Sequence, residues 1–316
     1  MIKSRVFLLA VDVGTSSLKA VLYDEAGRVL DSSTSRYSYS TPHPNWAEIN
    51  PQVWWQAFKT ALGELPGAQL QAVQVIAFTG QMHSAVLLDE DQNPVGPTIL
   101  WLDRRAAQET ASLQQELGLP PYQLNSTYTL PKLLWQVRNQ AETMQRVRHL
   151  LWPKDYLRFR LTGELCTDRT EAGGAVLLDW DTHEWAAENL ERIGLDAGIL
   201  PPFRQPTDSA GAPLPETAQE LGLPLNAKVI VGAGDVLALI SGAPPAYGRV
   251  TCSLGSSSMI FGPIQPDWEL PEGEQRIYIY PLLPYRLLGG VPPRPVLPCI
   301  GPGAPFMGRM FHSTRC

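Results

Sequence analysis

Apolar residues fill positions 6–11 and most of 18–23, and a third β-rich run covers 28–35. Asp12-Val-Gly-Thr-Ser-Ser17 separates the first two runs and Asp24-Glu-Ala-Gly27 the second and third. Both linkers carry turn chemistry, so the chain is predicted to open as an antiparallel meander. The period changes after Asn50-Pro51, where Trp54, Ala57, Phe58, Ala61, Leu62 and Leu65 recur at helical spacing. An asparagine cap followed by a first-turn proline is a helix-start signal.

Positions 72–79 form a continuous apolar run, the pattern of a strand covered on both faces, and end at Gly80-Gln-Met-His83. Helices are predicted over 104–117, 131–137, 154–161 and 184–193, with Asp168 capping a further helix at 169–173. A second buried strand at 227–231 runs into Gly232-Ala-Gly-Asp235, and 236–241 reads as helical. Strands at 249–254 and 259–262 flank the turn Gly255-Ser-Ser-Ser258, which resembles the turn at 12–17. The class is α/β with an antiparallel start.

With 25 Lys plus Arg against 31 Asp plus Glu, the net charge of −6 argues against a general nucleic-acid binder. No apolar stretch approaches the roughly 18–20 residues of a bilayer span, so no membrane partner is expected. Cys166, Cys252, Cys299 and Cys316 form no CxxC pair and no metal-like spacing, so they read as core or incidental thiols in a reducing, cytoplasmic setting.

Chemistry concentrates at the turns. In Asp12-Val-Gly-Thr-Ser-Ser17, Gly14 admits a close ligand, Thr15 and Ser16 offer hydroxyl and amide donors, and Asp12 sits where a carboxylate holds a water shell around Mg²⁺. Phosphate binding is one reading and a plain hairpin turn the commoner one. Asp235 follows two small glycines, so it reads either as a general base or as the cap of the helix after it. His83 alone is ordinarily structural, and Trp101 packs a core more often than a ligand. Lys154, Asp155 and Tyr156 read as a helix start and its support.

The segment Leu8-Leu-Ala-Val-Asp-Val-Gly-Thr-Ser-Ser-Leu-Lys-Ala-Val-Leu-Tyr-Asp24 resembles the opening of the FGGY carbohydrate kinases. Four further blocks follow in that family's order. They are Ile76-Ala-Phe-Thr-Gly-Gln-Met-His-Ser-Ala-Val-Leu-Leu-Asp89 with Ile99-Leu-Trp-Leu-Asp-Arg-Arg105, then Leu151-Trp-Pro-Lys-Asp-Tyr-Leu-Arg-Phe-Arg-Leu-Thr-Gly163, Val231-Gly-Ala-Gly-Asp235 and Ser253-Leu-Gly-Ser-Ser-Ser258. The second of the five is similar to the sugar-site segment of the xylulokinase branch.

The resemblance implies an actin-like, ribonuclease H-like fold of two domains with sugar and ATP in the cleft between them. It implies Asp235 as catalytic base, Met82 and His83 lining the sugar, Asp103 on its hydroxyls and Gln81 nearby. It also implies that Gly14, Thr15 and Ser16 face Gly255, Ser256 and Ser257 as paired phosphate turns, with Mg²⁺ held by Asp12 through water. The implied reaction moves the γ-phosphoryl group of ATP to a sugar hydroxyl, D-xylulose first, with gluconate or ribulose as other acceptors.

The pattern is not followed throughout. Val236 stands where xylulokinases carry a polar residue such as Asn, and Ser258 replaces a glycine. Family members are longer. The division expected here is a sugar-binding first domain over 1–244 and the start of a nucleotide-binding second domain over 245–290. The tail at 291–316, with six prolines and no Asp, Glu or Lys, reads as an altered gene end outside the fold. A half-built second domain exposes sheet edges, which invites pairing with another chain, a homodimer included. A catalytically silent sugar-binding remnant is therefore a second expectation beside the kinase.

Overall fold

A computed structural model describes residues 7–121, 123–179, 181–242, 246–254, 258–264, 277–282 and 285–290. Gly255, Ser256 and Ser257, expected to form the second phosphate turn, and the tail at 291–316 lie outside the described residues.

The predicted meander is β1 (Phe7–Val13), β2 (Ser17–Asp24) and β3 (Val29–Arg36), paired antiparallel in sequence order. A short β4 (Glu48–Ile49) leads to α1 (Pro51–Gly63), whose cap Asn50 accepts from the Gln52 amide as the sequence predicts. After α2 (Gly67–Leu70) the chain returns as β5 (Val73–Gly80), which lies parallel to β1. Between β5 and the next parallel partners run β6 (Val86–Leu88), β7 (Thr98–Ile99), α3 (Ala107–Leu117), α4 (Thr129–Asn139), α5 (Ala141–Met144) and β8 (His149–Leu151). They are followed by α6 (Pro153–Thr162), α7 (Arg169–Ala175), α8 (Ala187–Arg192) and α9 (Pro215–Leu221).

The parallel flank of β5 is completed by β9 (Lys228–Val229) and β10 (Ala233–Gly234), and α10 (Asp235–Gly242) starts at the candidate base. The strand predicted over 227–231 is thus broken in two, because the amides of Val231 and Gly232 turn away to the carbonyls of Asp208 and Pro206. The resulting sheet order is β10-β5-β1-β2-β3, with β9 also on β5. A second sheet, β11 (Thr251–Leu254), β12 (Ser258–Ile264), β13 (Ile277–Leu282) and β14 (Tyr285–Gly290), has the order β11-β12-β14-β13.

Two helices start three residues later than the sequence predicts. α3 begins at Ala107 instead of 104, because the Asp103 carboxylate takes the Arg105 amide and holds that stretch as a turn. α8 begins at Ala187 instead of 184, because Glu184 and Ala186 pair with Asp179 and Leu177 as a hairpin. One apolar core lies between the main sheet and α1 and α6, around Trp54, Phe58, Phe78 and Leu157. Another gathers α3, α4, α7 and α8 around Leu133, Trp152 and Leu177. Among the described residues no helix is long and apolar enough to cross a membrane.

Candidate active site

β1, β5 and β10 are adjacent and parallel, so their carboxyl ends open on one edge of the sheet, where α/β folds collect ligands. Asp12 pairs in register with Thr79, Gly80 with Gly234, and Asp235 comes next. The backbone topology alone therefore brings Asp12, the Gly14 turn, the Gln81–His83 loop and Asp235 together. Asp12 is exposed there, and Thr15 and Ser16 follow on the turn.

The Gly14 turn is held from three sides. Its amide donates to Ser17 O at 2.9 Å, and its carbonyl accepts from Tyr37 Oη at 2.6 Å and from Gln81 Nε2 at 2.9 Å. Trp101 Nε1 donates to Thr15 Oγ1 at 2.9 Å. Trp101 thus braces the turn through its indole N–H. Gln81 works from the opposite side, with its Oε1 buried and without a protein partner.

His83 occupies the left-handed region at φ 65°. Its Nδ1 donates to Gly174 O, and its ring meets Tyr128 edge-on at 5.0 Å. Burial, with Lys132 adding to it and the Gly174 bond opposing it, pushes the imidazole pKa down to about 3. The ring is neutral, and because a carbonyl only accepts, Nδ1 carries the proton and Nε2 is left as an acceptor. Met82 is buried beside it. A β-carbon on Gly174 would lie 2.7 Å from the His83 ring, and one on Gly234 would lie 2.7 Å from Met82 Sδ. Both glycines are needed so that this loop can press against α7 and β10.

Lys132, which the sequence reading passed over, is buried and donates to the carbonyls of His83 at 3.1 Å and Thr127 at 2.6 Å. Burial holds its pKa well below the ordinary lysine range against the pull of Asp103, with Arg104 and Arg105 adding to the fall. A lysine among Leu130, Leu133 and Leu134 on a core helix is the signal that marks it.

Asp103 is fully engaged by protein. Its carboxylate accepts from Ala47 N at 2.5 Å, Arg105 N at 2.8 Å and Arg105 Nη2 at 2.8 Å. The Arg105 guanidinium lies 3.6 Å from the Trp46 ring centroid. A sugar hydroxyl, which the resemblance implies as a partner of Asp103, would have to share this carboxylate with those donors.

Asp235 is the first residue of α10, and its Oδ1 accepts from Val236 N at 2.7 Å. Burial pushes its pKa up to about 7, the Val236 amide opposes this, and Asp12 adds to it. Behind it lies a buried charged cluster of Lys154, Asp155, Arg158, Asp168 and Glu171. Lys154 bridges Asp155 at 2.6 Å and Asp168 at 2.8 Å. Burial by itself lowers the lysine, but Asp155, Asp168 and Glu171 outweigh it and hold the ammonium above its ordinary range. Neither carboxylate oxygen of Glu171 has a protein partner. Burial, opposed by Lys154 and reinforced by Asp155, Asp168 and Asp235, pushes Glu171 well above the ordinary carboxyl range.

Residues 7–242 match the model of the FGGY family of carbohydrate kinases, N-terminal domain. The chain belongs to the FGGY family. It is 38% identical over 260 residues to a xylulose kinase of Klebsiella pneumoniae, covering 80% of this chain and 53% of that protein. The xylulose kinase of Escherichia coli K12 is 34% identical over 280 residues, 87% of this chain and 58% of the relative. The chain spans about half the length of these curated relatives. Among solved structures, a xyloylose kinase from Brucella ovis superposes with a TM-score of 0.82 at 34% identity, over 90% of this chain and 60% of the other. A gluconate kinase from Lactobacillus acidophilus superposes equally well, TM-score 0.82, at 26% identity over 91% and 60%. The fold is that of the actin-like, ribonuclease H-like kinases, as the sequence reading expects.

Proposed function

We propose that this chain carries the sugar site and catalytic base of an ATP-dependent sugar kinase acting on D-xylulose. The observation that supports it best is Asp235, a half-buried carboxyl at the end of β10 beside Asp12, with its pKa raised to about 7. A base tuned near the working pH accepts a hydroxyl proton most effectively. As the sugar oxygen bonds to the γ-phosphorus of ATP, its proton passes to Asp235 and ADP leaves with the bridging oxygen. His83 Nε2 accepts from a sugar hydroxyl, Met82 supports that wall, and Asp103 shapes it through Arg105.

The braced turn of Gly14, Thr15 and Ser16 offers donors to phosphate oxygens. Among the described residues no group of three or more metal-ligating side chains occurs, which suits an ion held by one carboxylate through water and by substrate phosphates. Asp12, exposed and oxygen-bearing, fits that role. Mg²⁺ held there by Asp12 would supply charge neutralisation for the transferring group. Cys166 and Cys252 are free thiols, in keeping with a cytoplasmic setting.

A second reading is sugar binding without turnover, which needs only the wall of His83 and Met82. The likeness to a gluconate kinase, together with Val236 in place of a polar residue, keeps gluconate beside D-xylulose as an acceptor to test. Calorimetric titration with D-xylulose, gluconate and Mg-ATP, beside a coupled ADP-release assay, separates the readings. Sugar-dependent ADP release that vanishes in Asp235→Ala supports the kinase. Sugar binding without ADP supports the silent site, and no sugar binding sinks both.

A further inference from the structure

The catalytic aspartate follows a short segment built on two glycines. Gly232 and Gly234 flank Ala233, Gly232 has φ +78°, and β10 pairs with β5 at only two positions. Glycine removes the steric limits that otherwise fix a backbone. Besides the Gly232 amide bond to Pro206 and the pairing with β5, two side-chain ties hold the segment. Thr79 Oγ1 donates to Ala233 O at 2.8 Å, and Gly234 N donates to Thr170 Oγ1 at 3.0 Å.

Thr170 is itself anchored on the buried charged cluster. Its amide is capped by Asp168 Oδ2 at 3.0 Å, and Asp168 is paired with Lys154. Lys154 meets Asp155, whose carboxylate also takes Arg158 Nη1 at 2.6 Å, and Arg158 donates to Val231 O at 2.7 Å. One rigid cluster therefore grips the chain at Val231 and, through Thr170, at Gly234, on both sides of the Gly232-Ala233 peptide. Buried ion networks seldom add net stability over apolar packing, and geometric definition is a use that suits them.

We propose that Thr170 is a positioning residue for Asp235, transmitting the rigidity of the Lys154–Asp168 cluster to the carboxylate through the Gly234 peptide. The catalytic meaning rests on the reading of Asp235 as base; the placement of the carboxylate does not. The same carboxylate accepts from the Val236 amide, so that amide reports where the side chain stands.

The test is amide hydrogen exchange, read by NMR on the 316-residue chain carrying Thr170→Val, with Thr170→Ser restoring the hydroxyl. The Gly234 and Val236 amides are expected to exchange about 10-fold faster in T170V, the effect of one hydrogen bond, and to recover in T170S. The Leu9 and Ile76 amides of the central strands remain unchanged and report intact folding. Acceleration at Gly234 alone overturns the proposal, since Thr170 then tethers a peptide without placing the carboxylate. Unchanged exchange at both positions overturns it too. If T170V loses its central-strand protection, Thr170→Ala, which removes the hydroxyl without adding a methyl group, takes its place under the same criteria. In the turnover assay T170V lowers kcat while leaving KM for D-xylulose within about twofold, because the tie serves the base and not the sugar wall. An Asp235→Ala chain that still turns over refutes the base, while the exchange result on carboxylate placement stands.

Discussion

Asp103, Asp235 and Glu171 are all acidic residues near one cleft, and their surroundings assign them different chemistry. Asp103 is saturated by Arg105 and Ala47. Asp235 keeps the single Val236 contact and is raised to about 7, so kcat/KM should rise as the pH passes upward through about 7 and the base loses its proton. A pH–rate profile that is flat between pH 6 and 8 removes Asp235 from the base role. Burial raises Glu171, so its folded pKa lies above the unfolded one. The folded state then binds more protons, so this group lowers stability as pH climbs above the ordinary carboxyl range. Glu171→Gln should therefore gain about 1–3 kcal/mol at pH 8 and lose that advantage below about pH 4. Denaturant midpoints at the two pH values check it. The sequence marks all three as acids and cannot rank them, because their partners come from distant segments: Ala47 is 56 positions from Asp103.

At the level of elements, local signals were the legible ones. Asn50 and Asp168 cap α1 and α7 as their sequence context predicts. The starts of α3 and α8 were misread because a side chain or hairpin from outside the helix captured their first turns. The packing of the Gln81–His83 loop on α7 was not legible either, since Gly174 carries no mark of what it faces. Gly174→Ala would drive a methyl group into His83, so sugar affinity should fall about 10-fold or more by calorimetry while far-UV dichroism stays native. Trp101→Phe removes the donor to Thr15 Oγ1 and should weaken Mg-ATP binding with sugar affinity unchanged.

Across the whole molecule, the main sheet collects the ends of β1, β5 and β10 at one edge, and α6 with α7 backs that edge with charge. Because a ligand stabilises only the state that binds it, D-xylulose at about 100 times its Kd should raise unfolding free energy by about 2.7 kcal/mol. A thermal-shift measurement reads this directly, and an absence of shift with the sugar refutes the first-domain site. The order of five motif blocks, the opening meander and the two cap residues were determined by the sequence itself, because each depends on neighbours within a few positions. Only the tertiary structure decided which acid is saturated by protein donors and which are pushed up by burial. Those states depend on contacts such as Thr170 with Gly234, 64 positions apart, and on burial that exists only once the sheet and its helices have closed around them.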